Sequence, residues 1–361
     1  MQSSKNIYLD TVKYLKKGGS FALATIVETW GSTPQAPGAS ALFSKRGLLL
    51  GTLGGGAIEA EAHRKAVECL KKSFSSVYEG NLMGEVGSEE ALCGGRVQVL
   101  IDATPSRSLR TFELLLQSLH SRRAGVLTTR ILQTPTGKAF VQRSWWEAKQ
   151  GRKGLAAWKD SPSLQELEDT LRQAKPRLVR LAGPASRKDK ERLFFLEPLF
   201  PLPQLVIVGA GHIGQALAPL GKRLDFEVTV IDDRPDFANA VRFPEADVLI
   251  VDQIERAVRN FPVSSDTYIV IVTRGHRYDA EALRACIGSP ARYIGMIGSS
   301  RKVSIMRREF LEKGWASAAE FDRVRAPIGL KIGSKTVEEI AVSIAAELVL
   351  VRSEAGGKSH G

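Results

Sequence analysis

The chain has 361 residues, 43% hydrophobic and 25% charged, a balance that fits soluble globular domains and leaves room for two of ordinary size. The longest apolar run near the N-terminus, Phe21 to Val27, is too short to cross a bilayer, and Asp10 with its flanking lysines does not suit a signal peptide. A cytoplasmic protein with no membrane partner is expected. The three cysteines, Cys69, Cys93 and Cys286, form no CxxC pair, which argues against a disulfide framework; with five scattered histidines, it also argues against a structural zinc site. The net charge of +12 favours anions. The basic residues are spread along the chain without a recognition helix, zinc finger or RRM pattern, so no nucleic-acid partner is expected.

The first elements read as mixed α/β. A helix is predicted near residues 4–17, with Tyr8, Val12 and Leu15 on one face and a stop at Gly18-Gly19. Strands are predicted at 21–28 and 39–44, and a turn at 45–47 leads into 48–50. The glycine cluster GTLGGG (51–56) opens a helix over 57–72, where Ile58, Ala62, Ala66, Cys69 and Leu70 keep helical spacing. Strands at 74–78 and 96–102 flank a loop containing LCGG (92–95). Leu109, Phe112, Leu116 and Leu119 then indicate a helix, and 126–132 with 138–143 a hairpin around PTG. The basic stretch from Trp145 to Lys159 shows little pattern. Residues 178–183 and 193–197 read as a pair across a charged turn, and whether they complete the first sheet stays open. The first domain is set at 1–197, and Pro198, Pro201 and Pro203 mark an extended linker over 198–204.

From Leu205 strands alternate regularly with helices. LVIVG (205–209), VTVID (228–232), DVLIVD (247–252), YIVIVT (268–273) and YIGMIG (293–298) are short, apolar and rich in Val and Ile. A parallel sheet buried on both faces requires such strands. A last helix begins at a capping box of Thr336 and Glu339 and runs through Val337, Ile340, Ala341, Ile344 and Leu348. The second domain is set at 205–352, with a disordered tail over 353–361. The fold class is α/β: a mixed α/β domain followed by a Rossmann-like parallel-sheet domain.

Gly209-Ala210-Gly211-His212-Ile213-Gly214 is a GxGxxG motif between a buried strand and a helix that Pro219 is expected to kink. Gly209 permits the tight turn, Gly211 lets a phosphate approach the backbone, and Gly214 lets helix and strand pack closely. Free N–H groups and the helix dipole make such a turn an anion site. Asp232 ends the next strand, where a ribose-binding carboxylate would sit. Two blander readings stay open: the glycines serve packing alone, and Asp232 pairs locally with the following Arg234.

Further strings carry a resemblance. They are TRGHRYD (273–279), YIGMIGSSRK (293–302) and PIGLKIGSKTVEEIAVSIAAEL (327–348) in the second domain. The first domain has WGSTPQAPGASALFS (30–44), GTLGGGAIEAEA (51–62) and LCGGRVQVLID (92–102). With GAGHIG, they make the chain resemble the XdhC/CoxI family of xanthine dehydrogenase accessory proteins, least over about 104–195. The resemblance implies a first, XdhC-like domain and then a Rossmann domain. It implies a protein that binds the molybdenum cofactor (molybdopterin), protects it, and helps insert its sulfurated form into an apo molybdenum hydroxylase. It further implies a homodimer, a cysteine desulfurase as a second partner, and no substrate turnover of its own. Arg274 departs from the histidine of many relatives. Ala57 replaces the cysteine of the CoxI-like branch, so the chain leans towards the xanthine-dehydrogenase branch.

Against that background the candidate residues acquire roles. Gly54, Gly55 and Gly56 are either a pterin or anion cradle or a strand-to-helix turn that needs positive φ. Ser32, Thr33 and Gln35 are candidates to face the same cleft. Cys93, before Gly94 and Gly95, is a candidate molybdenum contact or sulfur acceptor; as a thiol it is otherwise a small buried hydrophobe. Cys69 and Cys286 belong to apolar helix faces and are expected in the core. His212 and His276 are expected at one crevice outside the carboxyl ends of the strands, with Asp279 orienting one of them. Ser299, Ser300, Arg301 and Lys302 open a helix and suit an anion, or are a solvated basic start. The alternative function is an NAD(P)-dependent oxidoreductase using Asp232. It lacks a spaced Tyr and Lys pair, and it leaves the GTLGGG and LCGG loops unexplained.

Overall fold

In the computed structural model, which describes residues 7–81, 94–134, 137–148, 150–151, 161–181 and 192–357, the chain divides into units Met1–Pro201 and Leu202–Gly361. The first unit is built on β1 (Ala22–Trp30), β2 (Ser40–Ser44), β3 (Gly47–Gly51), β4 (Ser75–Asn81), β5 (Arg96–Asp102), β6 (Gly125–Gln133), β7 (Lys138–Glu147), β8 (Arg177–Leu181) and β9 (Arg192–Leu199). They form one antiparallel sheet in the order β3-β2-β1-β5-β4-β7-β6-β9-β8.

Burial on both faces explains the unbroken apolar run of β1. Ala22, Ala24 and Ile26 pack with Ile58, Ala62, Ala66 and Cys69 of α2 (Gly56–Lys72). Leu23 packs on the other side with Tyr8 and Val12 of α1 (Ile7–Lys16) and with Phe112 and Leu115 of α3 (Leu109–His120). Side chains of a strand alternate between faces, so each face takes every second residue. Cys69 is buried where its helical spacing puts it.

Three features differ from expectation. Strand β7 runs on through Trp145 and Trp146, which lie opposite Leu127 and Val126. Trp146 is buried, and its Nε1 donates to the Gly151 carbonyl. The basic neighbourhood had hidden that continuation. Helix α4 (Leu164–Gln173) was not anticipated, yet Ser163 and Glu166 form its capping box. Strands β8 and β9 do complete the sheet, and β9 includes Pro198 of the expected linker. Strand β8 pairs β9 only as far as Leu196, so Pro198 lies at the strand end, where a sheet tolerates a missing N–H.

The second unit carries β10 (Gln204–Val208), β11 (Glu227–Asp232), β12 (Val248–Val251), β13 (Thr267–Ile271) and β14 (Tyr293–Met296). All pairings are parallel, in the order β12-β11-β10-β13-β14. The strands shift by no more than two residues from their predicted bounds. Leu205 and Ile207 of β10 join a core with Leu217 and Ala218 of α5 (His212–Arg223) and with Ala341, Ile344 and Leu348 of α10 (Val337–Gly357). Val206 and Val208 join the opposite core, with Ala257 of α6 (Ile254–Asn260), Leu283 and Cys286 of α7 (His276–Cys286), and Phe310 of α8 (Ser300–Glu312). A short α9 (Ala318–Asp322) adds Phe321 to that core.

Pro219 lies inside α5, which nonetheless continues to Arg223. Helix α10 starts at the expected capping box, since Glu339 N donates to Thr336 Oγ1 at 3.2 Å and Thr336 N to Glu339 Oε2 at 3.0 Å. It outruns the expected disordered tail by continuing to Gly357, because no breaker precedes the final glycines and Ser353 bonds back to the Leu350 carbonyl. Among the described residues no helix is long and apolar enough to cross a membrane.

A buried carboxyl makes the first unit sensitive to pH. Glu197 of β9 is enclosed and accepts the Tyr8 hydroxyl. Burial, partly offset by Tyr8 and Arg143, pushes its pKa from 4.5 to about 7. The folded chain therefore holds this proton more tightly than the unfolded chain. Its stabilising contribution is complete below the ordinary carboxylate range and is lost as pH rises through about 7. The melting temperature of the first unit, followed by calorimetry from about pH 5 to 8, is expected to fall in this way. Glu197→Gln is expected to flatten the profile.

Candidate functional site

The three motif glycines after β10 differ in what their backbone demands. Gly209 has φ +117°, and a Cβ on it would lie 2.5 Å from the Val272 carbonyl oxygen. A Cβ on Gly214 would lie 2.2 Å from the Gly209 carbonyl oxygen. Both are needed for close packing. Gly211 is different: its φ is −74° and a Cβ there would meet nothing within 4 Å. Gly275, the N-cap of α7, has extended backbone and the same open surroundings. Neither fold nor packing requires glycine at these two positions.

Strands β10 and β13 are neighbours at the point where the strand order reverses, the usual ligand position in an open α/β sheet. Their helices therefore start side by side. His212 and His276 are the first residues of α5 and α7, and both are exposed. The two histidines singled out from the sequence thus stand at adjacent strand ends. His276 Nε2 lies 3.8 Å from Glu309 Oε2.

Asp232, at the end of β11, is 2% exposed. Its Oδ1 accepts Arg234 N at 3.0 Å and Arg234 Nε at 2.9 Å. Its Oδ2 accepts Ala210 N at 2.7 Å and Arg234 Nη2 at 3.1 Å. Burial alone would raise its pKa; the Arg234 guanidinium and the two amides outweigh that and hold it below its ordinary value. Asp232 makes the local pairing with Arg234, and its bond to the Ala210 amide also ties β11 to the glycine turn. Arg234 stacks 3.6 Å from the Phe237 ring centre, and Arg242 lies 5.0 Å from the same ring. Arg242 also reaches Gln215 Oε1 at 3.0 Å, while Arg274 pairs with Asp233 at 2.6 and 2.8 Å. No sequence pattern marks this arginine grouping, because its members are scattered from Arg234 to Arg274.

Ser299 caps α8 by accepting the Lys302 amide at 3.3 Å, and Ser299 and Arg301 are exposed. Asp279 does not orient a histidine as expected. It is fully buried and accepts Thr273 N at 3.2 Å, Thr273 Oγ1 at 2.6 Å and the Lys302 ammonium. The reason is geometric: Asp279 reaches Thr273 ahead of α7 and Lys302 of α8, whereas His276 is exposed. Burial raises the Asp279 pKa despite Lys302 and Thr273.

In the first unit, two glycine loops lie against residues 31–35. A Cβ on Gly54 would lie 2.6 Å from Pro34 Cγ, and one on Gly95 would lie 2.3 Å from the Ser32 carbonyl oxygen. The Ser32–Gln35 segment thus lies against both glycine loops. Gly54, Gly55 and Gly56 have φ of +108°, +79° and +54°, so the turn itself requires glycine. The loop already holds an anion of its own. Glu59 Oε1 accepts Thr52 Oγ1 at 2.6 Å and the amides of Leu53 and Gly55, each at 3.0 Å. Gly94 is exposed with open space around it, and Cys93 lies outside the described residues. Among the described residues no group of three or more His, Cys, Asp or Glu is arranged to hold a metal ion.

Two family models match this chain. One, described as the XdhC Rossmann domain, covers residues 205–348; the other, described as the XdhC and CoxI family, covers residues 14–79. Together they take in more than half of the chain. The chain belongs to the XdhC/CoxI family. This XdhC-family chain is 28% identical over 337 residues to a Bacillus subtilis protein described as a probable xanthine dehydrogenase component, covering 91% of this chain and 92% of that protein. It is 24% identical over 152 residues to the molybdenum cofactor insertion chaperone PaoD of Escherichia coli, covering 42% of this chain and 41% of that one. A crystal structure of a Bacillus halodurans protein described as a xanthine dehydrogenase shares the fold, with a TM-score of 0.76 at 22% identity over 96% of both chains.

The role of Glu59 in this XdhC-family loop is open to a direct check. Burial would raise its pKa, but the bonds from Thr52, Leu53 and Gly55 outweigh it and hold the carboxyl low. Its contribution is therefore present above the ordinary carboxylate range and lost as pH falls. Glu59→Ala leaves two amides and a hydroxyl without their acceptor and is expected to cost about 1–3 kcal/mol in denaturant unfolding at neutral pH. The difference from wild type should shrink on acidification.

Proposed function

We propose that this XdhC-family protein binds the molybdenum cofactor and assists its insertion into a partner molybdenum hydroxylase of the xanthine-dehydrogenase type. The observation that carries the reading is the bare turn at Gly211, with Gly275 beside it. Glycine is costly where neither φ nor packing needs it. A ligand that must touch the backbone gives a reason for it. The first turn of α5 offers amides that have no carbonyl partner within the helix, and the helix dipole favours negative charge there. The cofactor is a pterin with a dithiolene and a phosphate or pyrophosphate, and the latter groups suit such donors. His212, His276, Ser299 and Arg301 border the same edge as further donors or cations. When bound, the cofactor supplies the redox-active metal that the receiving hydroxylase needs.

The names of the relatives support the same role. The competing NAD(P) reading finds little support. Asp232 already accepts four donors, about as many as a carboxylate can take, and offers no free site to ribose hydroxyls.

For sulfur handling, burial pushes the Cys286 thiol up to about 12 and also raises that of Cys69. Neither supplies a thiolate near neutral pH. In this reading Cys93 is the sulfur acceptor or molybdenum contact, a cysteine desulfurase is the sulfur source, and the working form is a cytoplasmic homodimer.

Purified protein is expected to carry pterin, read by fluorescence after oxidation, and molybdenum, read by mass spectrometry. Gly211→Asp keeps a favourable helix cap and sets a carboxylate over the turn. It is expected to melt like wild type and to lose the pterin. Gly214→Ala, by contrast, is expected to lose about 1–3 kcal/mol of stability through overpacking. Pterin retained in a folded Gly211→Asp protein would sink the reading. Cys93→Ser is expected to bind pterin but to pass on no sulfurated cofactor, assayed as activity gained by the apo-hydroxylase.

A further inference from the structure

Asp279, Thr273 and Lys302 form a cluster that cofactor binding at the Gly211 turn does not use. Lys302 belongs to the first turn of α8, which follows β14 at the outer edge of the sheet. Its ammonium nonetheless meets Asp279, in the first turn of α7 after β13. The lysine thus leans one strand inward, towards β10. The same carboxylate accepts the amide and hydroxyl of Thr273. Thr273 follows Val272, whose carbonyl is the atom against which Gly209 packs. A continuous chain of contacts therefore runs from Lys302 to the glycine turn.

Stability alone is a poor reason for this arrangement. A buried ion pair recovers little beyond its desolvation cost, and apolar residues of similar volume often do as well or better. A pair serving only the fold would also be closed on itself. This one is not. An ammonium carries three donors, and Asp279 takes one. Among the described residues no hydrogen bond uses the other two, and the side chain keeps 27% of its exposure. Asp279, at 0% exposure, can reach only inward partners and holds the lysine by its tip. A fixed ammonium with two free N–H groups, held at the first turn of α7 whose N-cap is the bare Gly275, is suited to an oxyanion.

We propose that Lys302 binds a phosphate or pyrophosphate group of the ligand at this edge, and that Asp279 is the residue that positions it. The proposal rests on the anion-binding reading of the C-terminal unit. It names the group recognised and adds a side-chain contact to the backbone donors of the Gly211 turn.

The test uses the full chain and two probes in calorimetric titration: inorganic pyrophosphate, and molybdopterin released from a purified molybdenum hydroxylase. Lys302→Met together with Asp279→Asn removes both charges and leaves no unpaired buried carboxylate. This double variant is expected to bind pyrophosphate about ten-fold more weakly than wild type. Lys302→Arg is expected to restore most of the affinity, a rescue that a purely structural role would not produce. Should the double variant fail to fold, Lys302→Gln, which keeps a donor for Asp279, is read in its place with the same expectation. A folded variant that binds both probes like wild type overturns the assignment of Lys302 and leaves the cofactor reading intact. Wild-type binding of pyrophosphate without molybdopterin, lost in the variant, overturns the cofactor reading and upholds Lys302. Wild type that binds neither probe overturns both.

Discussion

The Val272 carbonyl oxygen lies where a side chain on Gly209 would have to be. That exclusion lets the turn after β10 close against the end of β13, and much of the second unit's functional edge follows from it. Once the turn is seated there, α5 and α7 must begin side by side, and Gly214 must let α5 settle onto the Gly209 carbonyl. Asp232 secures the third side by taking the Ala210 amide. The result is a turn whose Gly209 and Ala210 amides are held by the Ile231 carbonyl and by Asp232, while the amides that open α5 are left for another partner. Only its middle glycine faces open space.

The two units treat exposed amides in opposite ways. In the first, the amides of Leu53 and Gly55 are answered by Glu59, a carboxylate one helical turn away. In the second, the corresponding strand-to-helix turn has no acidic residue in the first turn of its helix. The acid that is near, Asp232, binds the turn from behind and is neutralised by Arg234. The same local geometry thus serves folding in one place and leaves capacity for a ligand in the other.

Much of this architecture was legible in the sequence, and the exceptions have physical causes. The five parallel strands could be read because burial on both faces leaves an uninterrupted apolar run. The end of β7 could not, since Trp145 and Trp146 are followed by basic residues that do not continue the pattern. Helix α4 buries only Leu167 and Thr170, too few for an apolar stripe; its readable sign was the Ser163 and Glu166 box, the same signal that did mark α10. At the site, GAGHIG and Asp232 were visible as a motif. The division of labour among its glycines was not, because φ and neighbouring atoms decide it. Asp279 and Lys302 are 23 residues apart, and only the sheet order brings them together.

Glu59 is covalently attached to the loop that it caps, which makes it a resident competitor. A tethered group over so short a span acts at an effective concentration of roughly millimolar or above. A dissolved anion arriving at the Gly54–Gly56 turn must first displace it and then leave that carboxylate without its donors. Dilute cellular phosphates would therefore pass this loop by, and only a ligand with many additional contacts could dislodge its built-in occupant.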